Sequence, residues 1–445
     1  MRAIRIGAGA GYSGDRIPPA VELADKGHLD YLVFECLAER TVALAQLEKI
    51  RNPNLGFDPL LRDRMEAVLV SCMEKGIKII TNMGAANPEA AAKEVLAVAR
   101  ERGIDRIKVC IVHGDDILSQ VMAHDPSVIE TANPISSIKD SIISANAYLG
   151  AEPIVDALKM GADVVITGRV SDPALFLAPL IYEFGWPTTD WEKMGQGVLV
   201  GHLLECAGQV TGGYFADPGY RDVPNLGKLG FPIAEVSEDG TALITKVSQA
   251  GGYVTPATCA AQLLYEVENP EQYLQPDVVA DFSRVTLTEV SKDCVKIEGA
   301  TGTHRPSMIK ATVGRRDGFI GDGQISYAGL GAKSRGQLAL DILRERLEET
   351  NIEFLDIRYE LLGLNAIHGA TLSAGYEPYE VRVRLAVRTT TKKEAELAVN
   401  EVEALYLNGP AGGGGATKSV REVISAVSVL MPRDLITTSV SSMEL

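Results

Sequence analysis

Carboxylates, amides and guanidinium groups recur in this 445-residue chain directly after short apolar runs. Glu35 follows the run 31–34 and Asn82 the run 77–80. His113, Asp115 and Asp116 follow 107–112, and Arg169 and Asp172 follow 164–167. Arg16 closes the glycine-rich stretch GAGAGYSGDR after residues 3–6. These residue types suit proton transfer beside an anion. Glu35, His113 and Asp172 are candidate acids or bases, and Arg16 and Arg169 are candidate clamps for a carboxylate. Asn146 and Tyr148, in NAYLG, add an amide and a phenol that orient a substrate oxygen or satisfy buried backbone.

Other clusters leave two readings open. Asp115 and Asp116 suit a divalent metal, or a helix cap beside a solvated acid. Glu39 and Arg40 read as an ion pair at a helix start. His202 and Cys206 stand four apart, hence on one helix face, as a nucleophilic pair or as core. Gly9, Gly11 and Gly14 fit G-x-G-x-x-G after a strand, with Glu35 ending the next one, the order of a dinucleotide fingerprint. The helix starts late, near Pro18, and Asp15 repels a pyrophosphate, so close backbone approach to a smaller ligand is favoured. Residues 408–419, NGPAGGGGATKS, offer backbone N–H groups from Gly413 and Gly414. Thr417 and Lys418 complete an anion site, or the stretch is a hinge.

Something must bring these distant residues together. Runs of 4–6 apolar, β-rich residues separated by helical stretches predict parallel strands with crossover helices. The carboxyl ends of such strands share one rim, where ligands bind. Asn87-Pro88 opens an Ala-rich helix ending before Gly103, and Asp172-Pro173 opens another as its cap. A helix is expected over 201–210. Beyond residue 215 the texture changes to strand after strand, with Glu238-Asp239-Gly240 as a hairpin turn. The fold class expected is therefore α/β. A mainly parallel-sheet domain spans 1–215, and an α+β domain over 216–445 carries the Gly-rich loop to the same cleft.

The net charge of −16 argues against nucleic acid and anionic membrane surfaces as partners. Six scattered cysteines without metal spacing suit reduced thiols in a cytoplasmic protein. No run approaches the ~20 apolar residues of a membrane span. The N-terminus opens directly on a strand, without the pattern of a signal peptide. No cofactor is specified.

Five long words, RIGAGAGYSGDR, LDYLVFECLAERT, ISANAYLGAEPIVDALKMGADVVITGRVSDPAL, LLECAGQVTGGYF and NGPAGGGGATKS, resemble the acyclic terpene utilisation (AtuA-like) family. They run in order from Ile4 to Ser419. The resemblance implies bacterial catabolism of acyclic terpenes or branched-chain acids, with intermediates carried as carboxylates or CoA thioesters. Many members carry, or are encoded beside, a small domain with an Ala-Arg-Ser-Gly-Asp-Lys-Gly-like segment. This chain lacks that segment, so a separately encoded small subunit is expected as a partner, along with self-association as a homo-oligomer. The expected chemistry is that of a lyase, a hydratase or dehydratase of a small or CoA-linked branched hydroxy acid. The alternatives are a nicotinamide-dependent oxidoreductase and a non-catalytic binding or assembly subunit.

Overall fold

The five apolar runs form the middle of one sheet in the computed structural model, which describes residues 2–445. They become β1 (Ala3–Ala10), β2 (Tyr31–Phe34), β3 (Lys78–Thr81), β4 (Lys108–His113) and, after β5 (Ile142–Ala147), β6 (Val164–Ile166). Their order is β1-β2-β3-β6-β4, every pairing parallel. Strands covered on both faces need no polar alternation, which is why they read as unbroken apolar runs. β2 and β6 are buried at every position.

Seven short strands follow: β7 (Pro232–Ser237), β8 (Ala242–Lys246), β9 (Tyr273–Leu274), β10 (Val279–Asp281), β11 (Thr286–Ser291), β12 (Cys294–Glu298) and β13 (Thr301–Thr303). Then come β14 (Met308–Ala328), β15 (Phe354–Leu362), β16 (Glu380–Thr389), β17 (Gly414–Pro432) and β18 (Ser439–Glu444). Among the described residues the large sheet has ten strands, ordered β11-β12-β8-β7-β1-β2-β3-β6-β4-β18. β7 and β18 join its parallel centre antiparallel. The sheet is therefore mixed rather than mainly parallel. The β7–β8 turn at Glu238-Asp239-Gly240 is as expected, with Gly240 at φ +93°.

The expected break near residue 215 falls inside this arrangement, because β7, β8, β11 and β12 extend the same sheet. The chain divides instead into one unit running to Gly314 together with Ala426–Leu445, and a second unit, Arg315–Ser425. A change from parallel to antiparallel pairing marks a change in connection length, not the end of a core. The core of the first unit runs from Ile4 through β7, β8 and β12 to Met431.

The second unit has its own core and its own sheet, ordered β15-β16-β14-β17. With helices Ala332–Glu348 and Lys392–Asn408 between strands, it follows the β-α-β-β-α-β ferredoxin-like order. Val381, Val383, Leu385 and Val387 of β16 are buried, as strict alternation predicts. Thr391 caps the second helix in a reciprocal capping box with Glu394.

Candidate active site

At the carboxyl ends of β2 and β6 lies a cavity of about 640 Å³, lined by residues of the first unit. β2 delivers Glu35 as the residue directly after its last strand position, its backbone N–H still donating to the Ala10 carbonyl at 3.3 Å. Glu35 is buried. Its Oε1 accepts from the Leu37 backbone N–H at 2.8 Å and from Asn82 Nδ2 at 2.9 Å. Asn82 also accepts from the Cys36 N–H at 2.7 Å, so it locks the loop that holds Glu35. Burial first, then the neighbouring Asp172, push the Glu35 carboxyl up to about 8 against the opposing pull of Arg169. At neutral pH it is a protonated acid.

Arg169 follows β6 and is 2% exposed. Its Nη1 donates to the Leu37 carbonyl and, at 2.8 Å, to Asp172 Oδ1. Its Nε is buried without a partner. Its guanidinium centre lies 4.0 Å from the centroid of the Tyr148 ring, a cation–π contact. Gly168 is required by its neighbour, since a Cβ there would sit 2.5 Å from Asp115 Oδ2. That carboxylate accepts from the Arg169 backbone N–H at 2.9 Å and so fixes the turn. Burial would strip Arg169 of its proton, but Asp172, Tyr148, Glu35 and Glu39 hold it charged.

The Tyr148 hydroxyl donates to Glu39 Oε1, which also accepts from Lys310 Nζ at 3.1 Å. Burial raises the Glu39 carboxyl, but the Tyr148 bond, Arg169 and Lys310 outweigh it and hold it at about 2. Glu35 and Glu39, four residues apart, are thus a neutral acid and a fixed anion. Glu39 was expected to pair with Arg40. Instead Arg40 is exposed, and Glu39 enters the cavity because the helix Glu39–Arg51 starts at its rim.

Glu205 and Tyr273 also line the cavity. The helix expected over 201–210 runs from Trp191 to Glu205, so Glu205 stands at its carboxyl end. The spacing His202-x-x-Glu205 was the available signal, since residues three apart meet on a helix. The four-residue spacing of His202 and Cys206 is not the pairing that the folded chain uses. His202 Nδ1 lies 2.9 Å from Glu205 Oε1. Burial and the Glu205 carboxylate raise the Cys206 thiol, which is no thiolate nucleophile at neutral pH.

Several candidates lie elsewhere. Arg16 is exposed, and the loop it was to serve is held from below by buried Arg64, which donates to the Ser13 carbonyl at 2.9 Å. His113, at the end of β4, lies 2.8 Å from Ser441 Oγ on the neighbouring β18. Asn146 donates to Asp115 at 2.9 Å and accepts from Gln46, so both residues are structural. Asp116 is exposed, its Oδ1 accepting from the Leu118 N–H at 3.4 Å as a turn residue. Among the described residues no cluster of three His, Cys, Asp or Glu suits a metal ion. Asp172 caps no helix; its carboxylate faces Arg169 and the cavity.

The glycine motifs are explained by packing. A Cβ at Gly9 would lie 2.6 Å from the Phe34 ring, and one at Gly11 2.5 Å from the Cys206 backbone. The helix opens only at Pro18, so its N-terminus is not presented by these glycines. Gly413, Gly414, Thr417 and Lys418 belong to the second unit and are not among the cavity-lining residues. There the left-handed Gly412 turns the chain into β17, Thr417 accepts from Arg382, and Lys418 pairs with Glu403.

The cavity places five carboxyl side chains (Glu35, Glu39, Asp172, Glu205 and Glu266) against two cations, Arg169 and Lys310. Its outer wall is apolar, with partly exposed Ile129, Leu274, Met308 and Leu430. The family described as acyclic terpene utilisation family protein AtuA matches residues 4–442. The chain belongs to the AtuA family. No curated protein matches this AtuA family member. Among solved structures, the de novo designed protein Ferredog-Diesel is similar over 23% of this chain and 85% of its own, at 22% identity and a TM-score of 0.15. Among the described residues no helix is long and apolar enough to cross a membrane.

Proposed function

We propose that this AtuA family member is a lyase that adds or removes water on a branched hydroxyacyl thioester during acyclic terpene utilisation. The observation that carries the reading is Glu35, a buried carboxyl that lines a cavity with an apolar wall beside buried Arg169, where desolvation favours its protonated form. A protonated carboxyl is the group needed to turn a departing hydroxide into water. Arg169, with an unpartnered N–H, stabilises negative charge that develops next to it. Arg169 and Lys310 are already matched by Asp172 and Glu39, which disfavours a free carboxylate and favours its thioester, whose carbonyl is neutral. Apolar Ile129, Met308 and Leu430 suit the branched chain.

The test uses the purified protein and a panel of branched 3-hydroxyacyl thioesters and their unsaturated products, following absorbance of the conjugated double bond. Turnover by wild type, reduced at least ~100-fold in Glu35→Gln, is expected. The lyase reading fails if no thioester of the panel reacts in either direction. Tight binding of NAD(H) or NADP(H) that Glu35→Ala abolishes would replace it with the oxidoreductase reading.

A further inference from the structure

Loss of water needs two groups, one to protonate the leaving oxygen and one to take the carbon-bound proton. Glu35 supplies the first. Asp172 is engaged with Arg169, and His113 lies on β4 beside Ser441, so neither supplies the second. We propose that Glu205 is the second proton-transfer group of this site and that His202 is its positioning residue, an assignment that rests on the lyase reading.

The geometry is specific. His202 is fully buried, and its Nε2 lies 3.2 Å from the Leu263 carbonyl oxygen. A carbonyl only accepts, so Nε2 carries a hydrogen. The remaining proton lies on the 2.9 Å contact between His202 Nδ1 and Glu205 Oε1. The pair therefore holds one shared proton, as imidazolium with carboxylate or as imidazole with carboxylic acid, and is neutral in either form. Glu205 Oε2 is buried and has no hydrogen-bond partner, while the exposed 9% of the side chain lines the cavity. Unpaired acceptor capacity on a buried carboxylate is costly unless a ligand meets it.

The surroundings fix the pair. Rings of Tyr273 and Phe282 pack on the imidazole, with centroids at 5.3 and 5.8 Å. The titratable and charged groups facing it are Asp172 and Arg169 from the loop after β6, Glu266 beyond the helix Pro256–Leu263, Tyr273, Cys206 and Glu35. Burial pushes Glu205 up to about 7 against the pull of His202, while Glu205 raises His202 despite its burial. The close approach of Gly11, the residue after β1, to the Cys206 backbone holds the helix end in place.

In the elimination, Glu205 takes the proton from the carbon between the thioester carbonyl and the carbinol carbon. That C–H pair becomes the new double bond, the C–O bond breaks, and the leaving oxygen takes the Glu35 proton and departs as water. Glu205 ends protonated beside a cationic His202, and Glu35 ends as a carboxylate. Net transfer of one proton from Glu205 to Glu35 through solvent restores both groups. No oxidant or reductant enters.

The experiment incubates wild type, Glu205→Gln, His202→Asn and Glu35→Gln with the same thioester panel in D2O, reading deuterium entry at that carbon and water loss separately. Wild type should do both. Glu205→Gln should lose deuterium entry by at least ~100-fold, whereas Glu35→Gln should keep it and lose water release. His202→Asn should lower the exchange kcat ~10-fold with little change in KM and shift its acid limb. Thermal melts confirm folding. In parallel, ¹⁵N NMR of the imidazoles should show the His202 titration displaced in Glu205→Gln. Deuterium entry at the wild-type rate in Glu205→Gln, or an unmoved His202 titration, overturns the assignment. Absence of both reactions in wild type sinks the lyase reading itself, and the assignment with it.

Discussion

Two loops of this chain look equally suited to a ligand in sequence, and the structure treats them in opposite ways. After β2, the stretch around Glu35 and Glu39 carries few glycines and much charge. At residues 408–418, four successive glycines precede Thr417 and Lys418. The first loop borders a cavity and leaves polar capacity unused nearby, at Arg169 Nε and Glu205 Oε2. In the second, Thr417 accepts from Arg382, and the Lys418 ammonium pairs with Glu403 and donates to Asn400 at 2.8 Å. Unfilled volume beside unsatisfied buried groups distinguishes a site, and backbone freedom does not. Glycine permits a turn or a close approach whatever its purpose.

The contrast predicts a steep difference in tolerance. Arg169→Ala should be the most damaging change. It leaves Asp172 and the Leu37 carbonyl without their Arg169 donor and removes the nearer of the two cations over the Tyr148 ring. Urea unfolding should show a loss of about 3–5 kcal/mol, the range for breaking one side of a buried pair. A loss below about 1 kcal/mol would show that the site is open to water and that the pair is screened by it.

Glu35→Gln should act in the other direction, and its sign follows from linkage. A carboxyl raised to about 8 in the folded chain contributes stability that is full below its unfolded pKa and fades as pH rises through 8. Glutamine has no charge to bury. The variant should therefore match wild type near pH 4 and become increasingly more stable between about pH 4.5 and 8. The gain is on the order of a few kcal/mol at the plateau. Melting curves across that range test it, and a difference independent of pH would show that Glu35 titrates normally.

Glycine substitutions compare the cavity wall, where Gly11 stands, with the second loop. Gly11→Ala pushes a methyl group against the Cys206 backbone and should cost about 1–3 kcal/mol. Gly414→Ala meets nothing within 4 Å and should leave the melting temperature within error. Equal effects at the two positions would remove the contrast. The smallest change expected is Lys418→Ala. It breaks an exposed pair with Glu403 and should alter stability by less than about 1 kcal/mol and ligand turnover not at all.

Much of the scaffold was legible in local residue patterns. The five apolar runs are the five parallel strands, because burial on both faces imposes apolar residues without alternation. Asn87 caps its helix, with Oδ1 accepting from the Ala90 N–H at 3.4 Å, because short-range capping depends only on neighbouring residues. Glu35 and Arg169 were legible as candidates because ligands meet such sheets at strand ends, and they line one cavity together with Tyr148, the phenol singled out in NAYLG. Membership of the AtuA family was legible as well, from long words spread along the chain.

Tertiary structure decided which of many polar residues share a cavity. Arg16 and His113 occupy the same kind of strand-end position as Glu35, yet one is exposed and the other pairs with β18, a strand more than three hundred residues away in sequence. Whether an acid is neutral or charged was equally hidden. Glu35 and Glu39 differ because one faces burial and Asp172 while the other meets Tyr148, Arg169 and Lys310. Desolvation and Coulomb interactions depend on distances through space, and residue identity along the chain carries no record of them. For the same reason sequence determined that this chain builds a parallel β-sheet centre with polar strand ends, and only the folded chain decided that His202 turns to Glu205 rather than Cys206.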